Sequence, residues 1–161
     1  MTDQHTLHYI CTAGDFRPGL VHPVRWLDPE SDFELGRQLF CITEKETDQL
    51  REAWRKVQEQ GFQFCGVVES GVVIAQAALW RYSDPAWDLA SVAVPNPANR
   101  LQGYGKSVSS FVTAAILETG RVPTCATGVG NTAMQRTAQS IGYHRIDPAA
   151  LPAQYPSIRE E

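Results

Sequence analysis

A mixed α/β domain of three layers is the fold this sequence predicts, and three observations predict it. Runs of β-branched and aromatic residues between positions 62 and 94 read as three successive meander strands. Two amphipathic stretches follow, separated by a short strand-like run. Another amphipathic stretch precedes the meander, so helices and strands alternate in the manner of a sheet packed between helices. A length of 161 residues suits one domain over the whole chain, 1–161, with a core of its own.

The elements follow in order. Residues 1–38 are the least legible part, because Pro18, Pro23 and Pro29 interrupt any long element. Within or next to them, His8 to Thr12 reads as a short strand and Phe33 to Ile42 as a short helix or strand. Thr43-Glu44-Lys45-Glu46 has the form of a capping box, with Thr43 as N-cap. Leu50, Ala53, Trp54 and Val57 then recur at helical spacing until Gly61 closes the helix. Phe62–Glu69 and Val72–Tyr82 form a hairpin through Ser70-Gly71. Ser83-Asp84-Pro85 turns the chain into a third strand, Trp87 to Val94, and Pro95-Asn96-Pro97 ends it.

A helix is expected from Ser107 to Thr119, with Val108, Phe111, Val112, Ala115 and Ile116 on one face and Gly120 just beyond. Val122 to Thr127 is a short strand. Asn131 caps a helix carrying Met134, Thr137, Ala138 and Ile141, which Gly142 ends. Tyr143 to Ile146 reads as a last strand, and residues 147–161 as a proline-interrupted tail.

Composition narrows the function. A formal net charge of −4 and a pI near 5.5 argue against a nucleic-acid partner, because contacts to phosphate backbones need a basic surface. No apolar run reaches membrane-spanning length and the start is polar, so no membrane partner is expected. Cys11, Cys41, Cys65 and Cys125 are scattered, with neither CxxC pairing nor Cys/His ligand spacing. Free thiols in a reducing cytoplasm, without a metal, fit that pattern.

The chemistry is concentrated in Arg100-Leu101-Gln102-Gly103-Tyr104-Gly105-Lys106. This glycine loop joins the third meander strand to a helix. Such a junction turns the unpaired N–H groups of a first helical turn, and the positive end of the helix dipole, toward a bound anion. Gly103 and Gly105 let a pyrophosphate approach the main chain without meeting a Cβ. A side chain at either position is expected to fill that cradle and leave the fold intact. A Walker A reading fails because Arg100 stands where its first glycine belongs, although Gly105-Lys106-Ser107 supplies its end. A dinucleotide fingerprint fails because Val108 stands in place of its third glycine.

The segment from Leu89 to Tyr143 resembles the GNAT superfamily of acyl-CoA N-acyltransferases. Arg100-Leu-Gln-Gly103-Tyr-Gly105 matches the family signature Gln/Arg-x-x-Gly-x-Gly/Ala between a strand and a helix. Asn131, with Gly142-Tyr143 behind it, matches a second signature. The resemblance implies a three-layer domain with a mixed sheet, an antiparallel meander, two splayed strands and helices on both faces. It implies acetyl-CoA as cosubstrate, with main-chain N–H groups from Leu101 through Gln102, Gly103, Tyr104 and Gly105 to Lys106 around the pyrophosphate, and Arg100 as a further cofactor-binding residue of the same loop. Val92, Ala93 and Val94 would pair with the pantetheine arm as with an added strand, and Asn131 either contacts the arm or only caps its helix. The acceptor is a small-molecule or protein amine, and a homodimer is compatible with the resemblance. An acyl-CoA-binding or partner-binding module with little catalysis is the competing reading.

The acid and base depart from the family pattern. Many members carry a tyrosine seven residues after the helix-opening asparagine, where this chain has Ala138. Tyr143, Tyr104 or water would then protonate the leaving thiolate, and a tyrosine restored at position 138 would face the sulfur. The strand Leu89 to Val94 carries no carboxylate, which leaves Asp88 at its start and Glu69 at the hairpin as candidate bases. His144 and Cys125 invite catalytic readings, but a partly exposed structural histidine and a small buried thiol answer better. Trp80, Tyr82 and Trp87 gather around one turn, as an acceptor pocket or as core.

Overall fold

Register decides this architecture. The computed structural model describes residues 5–148, so most of the expected tail lies outside the described residues. Strands β1 (Thr6–Ile10), β2 (Arg25–Trp26), β3 (Phe62–Glu69), β4 (Val72–Trp80), β5 (Ala86–Ala93), β6 (Val122–Gly128) and β7 (His144–Arg145) form one sheet. Their order is β2-β3-β4-β5-β6-β1-β7. Every neighbouring pair is antiparallel except β5 and β6, which run parallel. The illegible N-terminus thus supplies an interior strand: β1 lies between β6 and β7. It is also shifted two residues earlier than the expected His8–Thr12.

Helices α1 (Gly36–Phe40), α2 (Thr47–Glu59), α3 (Tyr104–Glu118) and α4 (Thr132–Ser140) cover the sheet. Leu50 and Trp54 of α2 pack with Leu27, Leu39, Phe64, Val73 and Ala78 in one core. Val108, Val112 and Ile116 of α3 pack with Tyr9, Leu89, Ala138, Ile141 and Tyr143 in another. Two cores on two faces make the three layers. Each fully buried Leu or Ile adds roughly 1.5–3 kcal/mol of apolar stabilisation before entropy is counted.

The meander turn needs positive φ at both central residues, and Ser70 (φ 51°) and Gly71 (φ 76°) supply it. The capping box does not form. Glu46 N–H donates to Thr43 O at 3.2 Å, which closes a turn before the helix and moves the N-cap to Glu46, with no side-chain cap bond. Arg37 of α1 braces the same turn, donating to Thr43 O at 2.6 Å and to Thr47 Oγ1 at 3.1 Å. Helix α3 also starts earlier than its apolar stripe indicates, because Gly103 at φ 86° is its N-cap. Tyr104, Gly105 and Lys106 therefore belong to its first turn.

Candidate functional site

Strands β5 and β6 share the registers Ala86–Val122, Trp87–Pro123 and Asp88–Thr124, and pairing stops there. Both strands continue, β5 to Ala93 and β6 to Gly128. Beyond Thr124, β6 pairs on its other side with β1. The edge of β5 from Leu89 onward is left without a strand partner, so the sheet opens into a V with Asp88 and Thr124 at its apex.

A bulge accompanies the opening. Ala78 faces Ala90 and Gln76 faces Ala93, so three steps of β5 oppose two of β4. Ser91, exposed and at φ 54°, takes up the extra residue in the left-handed region, where a non-glycine residue costs of order 1–2 kcal/mol. A bulge bends its strand and increases its twist, which fits the divergence of β5 from β6.

The glycine loop sits at the open end of the V. A 3₁₀ turn at Pro97–Asn99, capped by Asn96 Oδ1 on the Ala98 N–H at 3.0 Å, leads into it. Arg100 Nε donates to Val94 O at 3.2 Å and Gln102 Nε2 to Ala98 O at 2.8 Å, tying the loop to the end of β5. Leu101 (φ 62°) and Gly103 (φ 86°) are both left-handed, an alternation that turns successive N–H groups to one side. The main-chain N–H groups from Leu101 to Lys106 donate to no acceptor among the described residues, and the first bond of the helix runs from Ser107 N–H to Gly103 O at 2.9 Å. That run of open donors at a helix N-terminus is a fitting cradle for a pyrophosphate.

The two glycines differ. A Cβ on Gly103 would lie 2.8 Å from Val21 Cγ2, whereas one on Gly105 would meet only Val94 Cγ2 at 3.8 Å. The protein itself requires glycine at 103 and leaves space at 105. The expectation that a side chain at either position spares the fold is therefore corrected for Gly103.

The candidate acid and bases fall in separate places. Asp88 Oδ1 accepts a hydrogen bond from Thr124 Oγ1 at 2.7 Å, and Thr124 Oγ1 is also 2.9 Å from the Tyr82 hydroxyl. Asp88, Trp80 and Phe62 occupy one transverse row. Glu69 is exposed at the opposite end of β3, and the eight residues of that strand put it roughly 23 Å from that row. One reaction centre cannot use both carboxylates.

Tyr143 is 2% exposed and sealed in the α3-side core. Its hydroxyl is 2.8 Å from Thr113 Oγ1, which itself donates to Ser109 O. Burial, then the nearby Cys125 thiol, raise its pKa well above the usual tyrosine value. Tyr143 is thus a poor proton donor, a correction to its reading as the acid. Ala138 has no exposed surface and packs in the same core, so a tyrosine restored at this position would meet packed side chains.

Other expectations resolve by packing. Asn131 spends its side-chain oxygen on the Met134 N–H at 3.1 Å, as a helix cap. Cys125 is fully buried and burial raises its pKa well above the ordinary thiol value. His144 is exposed and lies 3.4 Å from an Asp15 carboxylate oxygen. Trp80 stacks on Phe62 at 5.1 Å, with Tyr82 beside it. Trp87 instead meets the guanidinium groups of Arg81 and Arg121 at 5.0 and 4.1 Å. The three aromatics do not form one pocket. A separate cavity of about 440 Å³ lies at the β3 edge between Leu27, Trp54 and Phe62. Among the described residues, no cluster of His, Cys, Asp or Glu could hold a metal ion, and no helix is long and apolar enough to cross a membrane.

The sequence reading missed two things. Thr124, which joins Asp88 to the Tyr82 hydroxyl at the apex, carries no motif. The segment Gly19 to His22 lies against the cradle through contacts with Ser107 and Ser110. Only the unusual serines in an otherwise apolar helix face signalled it.

No protein-family model matches the chain, and no curated protein matches it by sequence. Solved structures match its shape. A protein from Novosphingobium aromaticivorans assigned to the GNAT family superposes with a TM-score of 0.65 at 24% identity, over 88% of this chain and 59% of its own. A GNAT-family acetyltransferase from Colwellia psychrerythraea gives 0.67 at 17% identity, over 90% and 54%. A protein from Agrobacterium tumefaciens, assigned as an acetyltransferase, gives 0.62 at 19% identity, over 82% and 99%. The chain spans little more than half the length of the first two and nearly all of the third. It has the GNAT fold.

Proposed function

We propose that this chain binds an acyl-CoA, acetyl-CoA in the first instance, and transfers the acyl group to an amine. The observation that carries the proposal is the V between β5 and β6, with the open N–H run from Leu101 to Lys106 at its mouth. A V of that kind accepts an extended amide-bearing arm, and the cradle accepts its phosphates. Shape likeness to acetyltransferases supports the same reading.

Acyl-CoA supplies an acyl group already activated as a thioester. The residues of this chain do the rest. N–H groups from Leu101 to Lys106 bind the pyrophosphate, and Arg100 holds Val94 and the loop in register. Main-chain groups of Val92, Ala93 and Val94 line the open β5 edge, where they pair with the arm and polarise the carbonyl that is attacked. Asp88, held by Thr124, anchors the acceptor ammonium at the apex and takes its proton. The amine forms the new N–C bond, the C–S bond breaks with its electron pair on sulfur, and solvent protonates the thiolate.

One observation favours a second reading, a CoA-binding module without turnover. Ala138 is buried and Tyr143 is sealed, so neither position offers an acid. Calorimetry with acetyl-CoA, CoA and ATP, followed by thiol release across a panel of amines, tests both. Binding and thiol release establish the transferase, and binding without release establishes the module. ATP binding without CoA binding refutes both.

A further inference from the structure

We infer that His22 is a positioning residue for the anion cradle, locking the Gln102–Gly103 peptide so that its N–H faces the ligand. The inference rests on the acyl-CoA reading above. His22 Nε2 is 2.7 Å from Gln102 O across 80 positions of sequence. A carbonyl oxygen only accepts, so the imidazole carries its hydrogen on Nε2 in this contact. The ring also stacks on Tyr104, with centroids 3.8 Å apart and planes 15° apart.

His22 is itself fixed from below. Its main-chain N–H and that of Val21 both donate to Ser107 Oγ, at 3.1 and 3.0 Å. Gly19 N–H donates to Ser110 Oγ at 2.9 Å. Both serines are buried, on the face of α3 where apolar residues would otherwise sit. The strap and the cradle therefore share one helix turn as their foundation.

The need for a lock follows from the glycine. Turning over the Gln102–Gly103 peptide changes ψ of residue 102 and φ of residue 103. Gly103 stands at φ 86°, and glycine accepts the opposite sign of φ about as readily. The turned-over peptide would aim Gln102 O at the phosphates in place of the Gly103 N–H. In a trans peptide the two groups point in opposite directions, so the bond from His22 to Gln102 O holds the N–H on the far, open side. The lock is remote in sequence and adjacent in space.

The test uses CoA and pantetheine, which lacks the pyrophosphate, on the wild-type chain, His22→Phe and His22→Gln. Phe keeps a ring over Tyr104 and loses the N–H, while Gln restores a donor. Calorimetry reads CoA affinity, amide chemical-shift titration reads the weaker pantetheine, and thermal unfolding checks the fold. His22→Phe is expected to weaken CoA about five- to tenfold, the loss of one net hydrogen bond, and to leave pantetheine unchanged. His22→Gln is expected to recover most of the CoA affinity. Equal CoA affinity in wild type and His22→Phe overturns the inference, and so does proportional weakening of both ligands. A wild-type chain that binds no CoA overturns the acyl-CoA reading and this inference with it, an outcome separable from the others.

Discussion

Gly105→Glu separates a phosphate cradle from a plain strand-to-helix turn, because its effects on folding and on binding have opposite signs. A Cβ at position 105 meets only Val94 Cγ2, at ordinary contact distance, and residue 105 lies in the first turn of α3. A carboxylate in that turn is favoured by the helix dipole, by about 0.3–1 kcal/mol, and replacing a helical glycine contributes about as much again. For a domain of this size each 1 kcal/mol moves Tm by roughly 2–4 °C. Gly105→Glu is therefore expected to unfold at the wild-type temperature or a few degrees above it.

Binding moves the other way. The new carboxylate enters the space that the open N–H groups face and competes for them. A unit charge about 5 Å from a phosphate charge, at an effective dielectric constant near 20, costs about 3 kcal/mol. CoA affinity is expected to fall at least about 100-fold by calorimetry. Gly103→Ala is the contrasting variant. Its backbone at φ 86° and its 2.8 Å approach to Val21 are expected to cost about 1–2 kcal/mol of stability, so it loses fold and binding together. A folded Gly105→Glu protein with wild-type affinity for CoA would refute the cradle.

Asp88→Asn is expected to lower the rate of amine acylation about 100- to 10,000-fold and to leave CoA affinity within twofold; an unchanged rate removes Asp88 from the mechanism. Burial raises the Cys11 thiol to about 11 and the Cys65 thiol to about 12. Both are raised acids, so their stability contribution is whole below the unfolded thiol pKa, near 8.5–9, and is lost as pH rises through the folded values. Denaturant midpoints are expected to fall steadily between pH 8.5 and about 11, and a Cys65→Ala chain to fall less; a flat profile contradicts this account.

The fold was legible wherever periodicity and turn chemistry agreed. Leu50 and Trp54 announce α2 because helical spacing and burial coincide, and Ser70-Gly71 announces the hairpin because that turn demands positive φ. The capping box misled because Thr43 and Glu46 close a backbone turn before the helix, on a carbonyl that Arg37 from another element also binds. The V was foreseen only through resemblance. Its physical origin, pairing that ends at Asp88–Thr124 beside a bulge at Ser91, depends on which strand claims the other edge of β6. That strand is β1, from the least legible segment. Glu69 and Asp88 looked equivalent in sequence because linear distance does not reveal that a whole strand separates them.

The missing acid illustrates how far a family pattern carries. In that pattern position 138 faces the sulfur, and a tyrosine restored there should raise turnover or change it little, provided the ring fits the cleft. In this chain Ala138 lies against Tyr143 and Ile141 in one fully packed cluster, and Tyr143 already fills core volume five positions later. A second ring at 138 is an overpacking substitution, which typically costs 1–3 kcal/mol. Ala138→Tyr is therefore expected to lower Tm by several degrees and to leave turnover at or below the wild-type rate. Thermal unfolding and thiol release on the same preparation decide it. A stable Ala138→Tyr enzyme with faster turnover would show that the helix can shift to open the cleft, and would return the acid to position 138. A slow, destabilised one leaves solvent as the proton source in the proposed transfer.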